Sequence, residues 1–251
     1  MLRLRQSVVP LRPTFCHPRF ETVGSFSDAV VCYSPLGFLL DGELAERHHR
    51  SVALNLKFAK FPTLKRLEDF DFKAQPGLDS RLIEELGAGR FLYEGRNVVL
   101  LGPPGVGKTH LVIGLGVMTA ERGHRFTFTT AIDLATRLTR AIETNRLRYE
   151  MQTMVQPKLL IIDESLDDPQ ASLLFQVVCQ RYQKERSVIP TSNKPFGQWA
   201  QVFGGDGVMA SAALDRLLHR ATVINIRGES YRLKSRRRAK DFAGEEDQAV
   251  K

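Results

Sequence analysis

Gly102-Pro103-Pro104-Gly105-Val106-Gly107-Lys108-Thr109 satisfies G-x-x-x-x-G-K-[ST] at every required position. Glycines at this spacing let successive backbone N–H groups turn toward one point and cradle phosphate oxygens. A helix that follows presents its positive N-terminal end to the same anion. Lys108 is then expected to reach the β- and γ-phosphates, and the Thr109 hydroxyl to ligate Mg²⁺. The expected nucleotide-binding set is Gly102, Pro103, Pro104, Gly105, Val106, Gly107, Lys108, Thr109 and His110. A second signal is Lys158-Leu159-Leu160-Ile161-Ile162-Asp163-Glu164, an apolar run closed by two carboxylates. Alone it is a solvated strand end. Downstream of a phosphate loop, Asp163 is expected to hold Mg²⁺ and Glu164 to polarise an attacking water. A third run, Ser187 to Asn193, ends in a polar residue. Asn193 either orients the lytic water beside the γ-phosphate or caps a strand-to-loop turn.

These residues must be held by strands before them and helices after them. Asn97–Leu101 is a short apolar run, and a helical segment follows the loop as far as Arg122. Arg125–Thr130 is β-rich, and Asp133 is placed to cap the next helix. Lys158–Asp163 and Ser187–Thr191 are further strands, with a helix over about 171–184 between them, and Thr222–Ile226 is one more strand. Strands alternating with helices imply a parallel sheet covered on both faces, with ligands at the carboxyl ends of its strands. Upstream, residues 41–60 carry a helical stripe of Leu44, Val52, Leu56 and Ala59. Residues 61–80 then read as a linker punctuated by Pro62, Pro76 and Gly77, which Phe61, Leu67, Phe70 and Phe72 pin to the next domain. Residues 1–33 have no sustained period and read as irregular. The expected organisation is 1–60 as an N-terminal region, irregular over 1–33 and helical over 41–60, 61–80 as the linker, 81–238 as the nucleotide-binding domain and 239–251 as a disordered tail.

The chain has 251 residues, enough for one ordinary domain with an appendage. Apolar residues make up 43% and charged residues 25%, which excludes wholesale disorder, collagen and a coiled-coil rod. Lys and Arg number 36 against 28 acidic residues, a net charge of +8 that suits a polyanion such as nucleic acid. Three scattered cysteines, Cys16, Cys32 and Cys179, form no disulfide framework or zinc motif. Pro10 and Pro13 interrupt any signal-like run, and Ala29–Leu40 is too short and broken to span a bilayer. A soluble, cytoplasmic protein without membrane contact is expected.

Together these motifs resemble the AAA+ ATPases, and within them the IstB-like helper ATPases of insertion-sequence transposition, relatives of bacterial helicase loaders. The resemblance rests on FPTLKRLEDFDF (61–72), NVVLLGPPGVGKTHL (97–111), FTTAIDL (128–134), LLIIDE (159–164), TSNKPFGQW (191–199), LDRLLHRA (214–221) and NIRGESYRLK (225–234), and covers about residues 35–238. It implies an α/β fold with an AAA+ P-loop ATPase core, ATP and Mg²⁺ as cofactors, and hydrolysis run by Lys108, Asp163 and Glu164. Asn193 is similar to the sensor-1 residue. Arg216 is similar to the arginine finger offered to a neighbouring subunit's ATP, and Arg232 to the second sensor arginine. Salt bridges or DNA phosphate contacts are the alternatives for both arginines. The implied partners are double-stranded DNA, the transposase of the same mobile element and further copies of the chain.

Three features depart from the family. Ser165-Leu-Asp-Asp-Pro169 is a short connection after Glu164, Pro190 sits inside the sensor strand, and residues 1–33 do not resemble the family's helical N-terminal region. The first two put hydrolysis in question, and all three suggest a variant or decaying copy of a mobile-element gene. The basic run Arg232–Lys240 and the cluster Arg137, Arg140, Arg146 and Arg148 are candidates for phosphate contacts, with solvated surface as the alternative. His48 and His49 are expected on a solvated helix face. The leading expectation is an ATP-dependent helper of DNA transposition. A helicase-loader-like ATPase and a catalytically impaired, nucleotide-dependent DNA-binding scaffold are the alternatives.

Overall fold

In the computed structural model, strands β1 (Asn97–Leu101), β2 (Phe126–Thr130), β3 (Leu159–Asp163), β4 (Ser187–Ser192) and β5 (Ala221–Asn225) form one sheet in the order β2-β3-β4-β1-β5. All neighbouring pairs are parallel. The structure describes residues 35–59, 61–163, 171–228 and 230–231. The chain divides into Met1–Gly42, of which residues 35–42 are described and helical, and Glu43–Lys251, which holds the sheet.

Nine α-helices lie among the described residues: α1 (Pro35–Ala59), α2 (Ser80–Gly87), α3 (Arg90–Tyr93), α4 (Lys108–Glu121), α5 (Ala131–Glu143), α6 (Leu147–Val155), α7 (Ala171–Gln183), α8 (Trp199–Val202) and α9 (Gly207–Leu218). Alternating side chains of β1, β3 and β4 feed two separate cores. Val98, Leu100, Leu159, Ile161 and Ile189 pack with α4, α2 and the segment before α2. Val99, Leu101, Leu160, Ile162 and Val188 pack with α5, α6, α7 and α9. Central strands buried on both faces read as unbroken apolar runs, which is why the sequence shows them so clearly.

Several boundaries differ from the sequence reading. Helix α1 begins at Pro35 rather than near residue 41. Pro suits the first turn of a helix, where its missing N–H would have no partner anyway. Helix α5 is capped by Thr130, whose side chain accepts from the Asp133 N–H, so Asp133 lies in the first turn and is not the cap. Helices α2 and α9 went unread, although each has a clear signal: Asp79 and Asp206 accept N–H bonds at their starts.

Pro190 does not break β4, which runs to Ser192 and pairs Ile162↔Pro190 with β3. Its effect falls on the other side. Pairing with β1 is recorded at Leu100↔Thr191 and Leu101↔Ser192, beyond the proline. Before it, the Val188 N–H donates to the Asn97 side-chain oxygen at 2.9 Å instead of to a strand carbonyl. A residue without an N–H thus costs one ladder bond while the strand direction survives.

At the opposite end of the sheet from the phosphate loop, Arg181 of α7 is wholly buried. It donates to Met154 O at 2.6 Å, Ser187 O at 2.6 Å and Lys158 O at 3.3 Å. It thereby caps the last turn of α6 and ties it to the starts of β3 and β4. Burial, and then neighbouring Arg186, push the guanidinium down to about 9, so it remains charged at neutral pH.

Candidate nucleotide-binding site

Strand β1 ends at Leu101, and the chain turns through Gly102–Gly107 into α4. The turn requires glycine at three points. Gly102, Gly105 and Gly107 have φ of 152°, 83° and 100°. Crowding adds to this: a Cβ on Gly102 would lie 2.5 Å from Ile226 O, and one on Gly107 would lie 2.7 Å from the Phe70 ring. A side chain on either would push away the segments that wall the loop. Lys108 opens α4, and its ammonium donates to Gly102 O at 2.7 Å and Pro103 O at 2.9 Å, across the mouth of the loop.

Asp163 closes β3 beside this loop and is 5% exposed. Thr109 Oγ1 donates to its Oδ2 at 2.8 Å, and Thr191 Oγ1 donates to its Oδ1 at 2.7 Å. A hydroxyl and a carboxylate joined in this way form a set of hard oxygen donors that fits Mg²⁺, a cation that commonly takes one or two protein oxygens and completes its shell with phosphate and water. Among the described residues no group of three or more His, Cys, Asp or Glu side chains is placed to hold a metal.

The loop, Lys108, Thr109, His110, Asp163, Thr191 and the exposed Asn193 line one cleft of about 550 Å³. Its other wall comes from the segment before α2 and from the far end of the chain. Phe70 stands edge-on to His110, with ring centres 5.2 Å apart, and His110 Nε2 lies 2.8 Å from Arg66 O. Lys65, Asp69, Asp71 and Gln75 also face the cleft. Tyr231 joins it after its N–H donates to Gly105 O at 3.0 Å.

A match to the model of the IstB-like ATP binding protein family covers residues 22–239. A protein named for ATP binding in insertion sequence IS21 of Pseudomonas aeruginosa is 46% identical over 204 residues, 80% of this chain and 76% of that one. Its counterpart in insertion sequence IS5376 of Geobacillus stearothermophilus is 43% identical over 212 residues, 82% of this chain and 84% of that one. The chain belongs to the IstB-like family. The match starts at residue 22, upstream of the limit near residue 35 that the motifs suggested. Among solved structures, the DnaC helicase loader is similar at 22% identity and a TM-score of 0.51, over 59% of this chain and 87% of that one. The initiator DnaA, solved with AMPPCP and single-stranded DNA, is similar at 19% identity and a TM-score of 0.54, over 68% of this chain and 52% of that one. These likenesses concern the fold, which is that of an AAA+ P-loop ATPase.

In this IstB-like chain the cleft gathers Gly105, Val106, Gly107, Lys108, Thr109, His110, Asp163 and Asn193 from the expected set, with Pro104; Gly102 and Pro103 enter through their carbonyls on Lys108. Arg216 lies elsewhere. On α9 it donates to Ala212 O at 2.7 Å and sits 5.5 Å from the centre of the Phe175 ring, away from its own chain's cleft. Glu164, the connection 165–169, Arg232 and the basic run after it lie outside the described residues, as do residues 1–33. Of the basic cluster, Arg137 pairs with Glu150 at 2.8 Å, and Arg140, Arg146 and Arg148 are exposed. His48 is exposed on α1, with Nε2 2.8 Å from Glu121 O, and His49 is exposed beside it. No described helix is long and apolar enough to cross a membrane.

The sequence reading missed Thr191, Phe70, Gln75 and Tyr231 as cleft residues. Thr191 stands two positions before Asn193, inside β4, where an apolar run reads as buried packing rather than as part of a site. Phe70 was expected to pack, and it does so against Phe72 with ring centres 4.9 Å apart, but it also walls the cleft.

Proposed function

We propose that this IstB-like chain binds ATP with Mg²⁺ in the cleft, hydrolyses it, assembles on double-stranded DNA with further copies of itself, and recruits or activates the transposase of the same insertion sequence. The observation that carries this reading is the Thr109–Asp163 hydrogen bond at the mouth of the phosphate loop. It brings together the two oxygen donors that Mg²⁺ needs, in a chain whose relatives are named for insertion sequences and ATP binding.

In this reading the loop N–H groups and Lys108 hold the phosphate oxygens, and Thr109 and Asp163 hold Mg²⁺, which neutralises charge on the phosphates when bound. Glu164 takes a proton from the attacking water, and Asn193 fixes that water's orientation. Arg232 contacts the chain's own nucleotide. Arg216 serves a neighbouring copy, a role supported by its place away from its own cleft. An arginine supplied in trans makes turnover depend on assembly and contributes several orders of magnitude in rate.

Sedimentation with ATP and duplex DNA, followed by capture with the element's transposase, tests the proposal. The expected result is an ATP-dependent oligomer on DNA that retains the transposase. A monomer in every condition contradicts the assembly. Capture of a replicative helicase in place of the transposase favours the helicase-loader reading.

A further inference from the structure

Asp163 is buried at the end of β3, and each of its carboxylate oxygens is engaged by a hydroxyl from a different element. Thr109 reaches Oδ2 from α4. Thr191, itself 2% exposed, reaches Oδ1 from β4. The register explains the second contact. Thr191 stands one step beyond the Ile162↔Pro190 pair, so it is the residue beside Asp163 on the neighbouring strand, and its side chain shares a face with the carboxylate. On its other side Thr191 is paired with Leu100 of β1, so its backbone is held within the sheet.

An aspartate's terminal torsion is broad and only roughly two-fold, so one hydrogen bond leaves the plane of its carboxylate loosely set. Two bonds to opposite oxygens fix both the direction and the plane. The two hydroxyls are not equivalent. Thr109 is itself a proposed Mg²⁺ ligand, whereas Thr191 addresses the oxygen turned away from Thr109. We propose that Thr191 is a positioning residue, whose hydroxyl holds the Asp163 carboxylate in the orientation that binds the divalent cation. The proposal rests on the reading of Thr109 and Asp163 as the Mg²⁺ site. Groups that orient a metal ligand commonly change metal affinity by ten- to a hundred-fold without touching the ion.

The test uses the full chain, with Mn²⁺ as the probe, read by electron paramagnetic resonance in the presence of a non-hydrolysable ATP analogue. Nucleotide affinity is measured separately in EDTA. Thr191→Val removes the hydroxyl and keeps the branched shape. It is expected to raise the Mn²⁺ concentration at half-saturation about tenfold or more, while metal-free nucleotide affinity stays within about twofold of wild type, since one hydroxyl off the phosphate cradle is all that is lost. Thr191→Ser, which restores the hydroxyl, is expected to recover most of the loss. If Thr191→Val fails to fold, Thr191→Ala is read in the same way. Unchanged Mn²⁺ affinity in the hydroxyl-free variants overturns the proposal, and so does a serine variant as weak as valine, which would mark Thr191 as a packing residue. A wild-type chain that binds no nucleotide, with or without Mn²⁺, overturns the nucleotide-site reading itself and is told apart by that failure.

Discussion

Two buried side chains show how differently polar groups serve this protein. Asp163 is satisfied by two neutral hydroxyls, Thr109 and Thr191, and remains next to a cleft that a cation can enter. Arg181 donates to three backbone carbonyls at the other end of the sheet. Removing it leaves those carbonyls, one in the last turn of α6, buried without a donor. Arg181→Ala is therefore expected to destabilise the fold by about 3 kcal/mol, the scale of breaking a buried charged network. Arg137→Ala, which breaks an exposed pair with Glu150, should cost less than about 1 kcal/mol. Urea denaturation of both variants checks the contrast. Equal losses would mean that Arg181 is solvated in solution. Its position in the sequence, inside an amphipathic helix, reads as an ordinary surface arginine. Nothing local announces a residue whose partners lie at the ends of three other elements.

The segment before α2 shows how a stretch whose one regular turn is the 3-10 helix Phe72–Ala74 can be part of a site. Phe61 stacks on Phe126, with ring centres 5.4 Å apart, and meets Phe128 edge-on at 5.2 Å. Leu67 lies over α4 at Gly114, where a Cβ would meet Leu67 Cδ2 at 2.6 Å and the Leu67 backbone N at 3.1 Å. A methyl group there cannot be accommodated by a rotamer change alone, because the backbone is also in the way. Gly114→Ala is expected to lose about 1–3 kcal/mol, the usual cost of overpacking, and to weaken nucleotide binding by displacing Phe70 from the cleft wall. Thermal melts and titration with a fluorescent ATP analogue test the two effects. A variant as stable as wild type would show that the segment does not bear on α4. The aromatic residues of this segment were legible as packing residues, because apolar side chains at short intervals in a Pro-punctuated stretch need a surface to cover. Their second role was not, because it depends on which loop the segment crosses. The phosphate loop was legible in full, since backbone geometry dictates its glycines one by one.

For the whole molecule, the order β2-β3-β4-β1-β5 brings the loop after β1, Asp163 at the end of β3 and Asn193 after β4 together at the carboxyl ends of the three central strands. Strand alternation foretold the parallel sheet. It could not reveal that β5 lies beside β1, or that the chain beyond β5 returns over the loop through the Tyr231–Gly105 hydrogen bond. That return brings Tyr231, more than a hundred positions from the loop in sequence, to the wall of the cleft. The proposed function requires this site to turn over ATP when the chain engages DNA. Phosphate release with and without duplex DNA, in wild type and Lys108→Ala, is the decisive measurement. Release that DNA stimulates in wild type, and that Lys108→Ala abolishes, is the predicted result. Tight ATP binding by wild type with no phosphate release in any condition would contradict it, and would leave a nucleotide-dependent scaffold in its place.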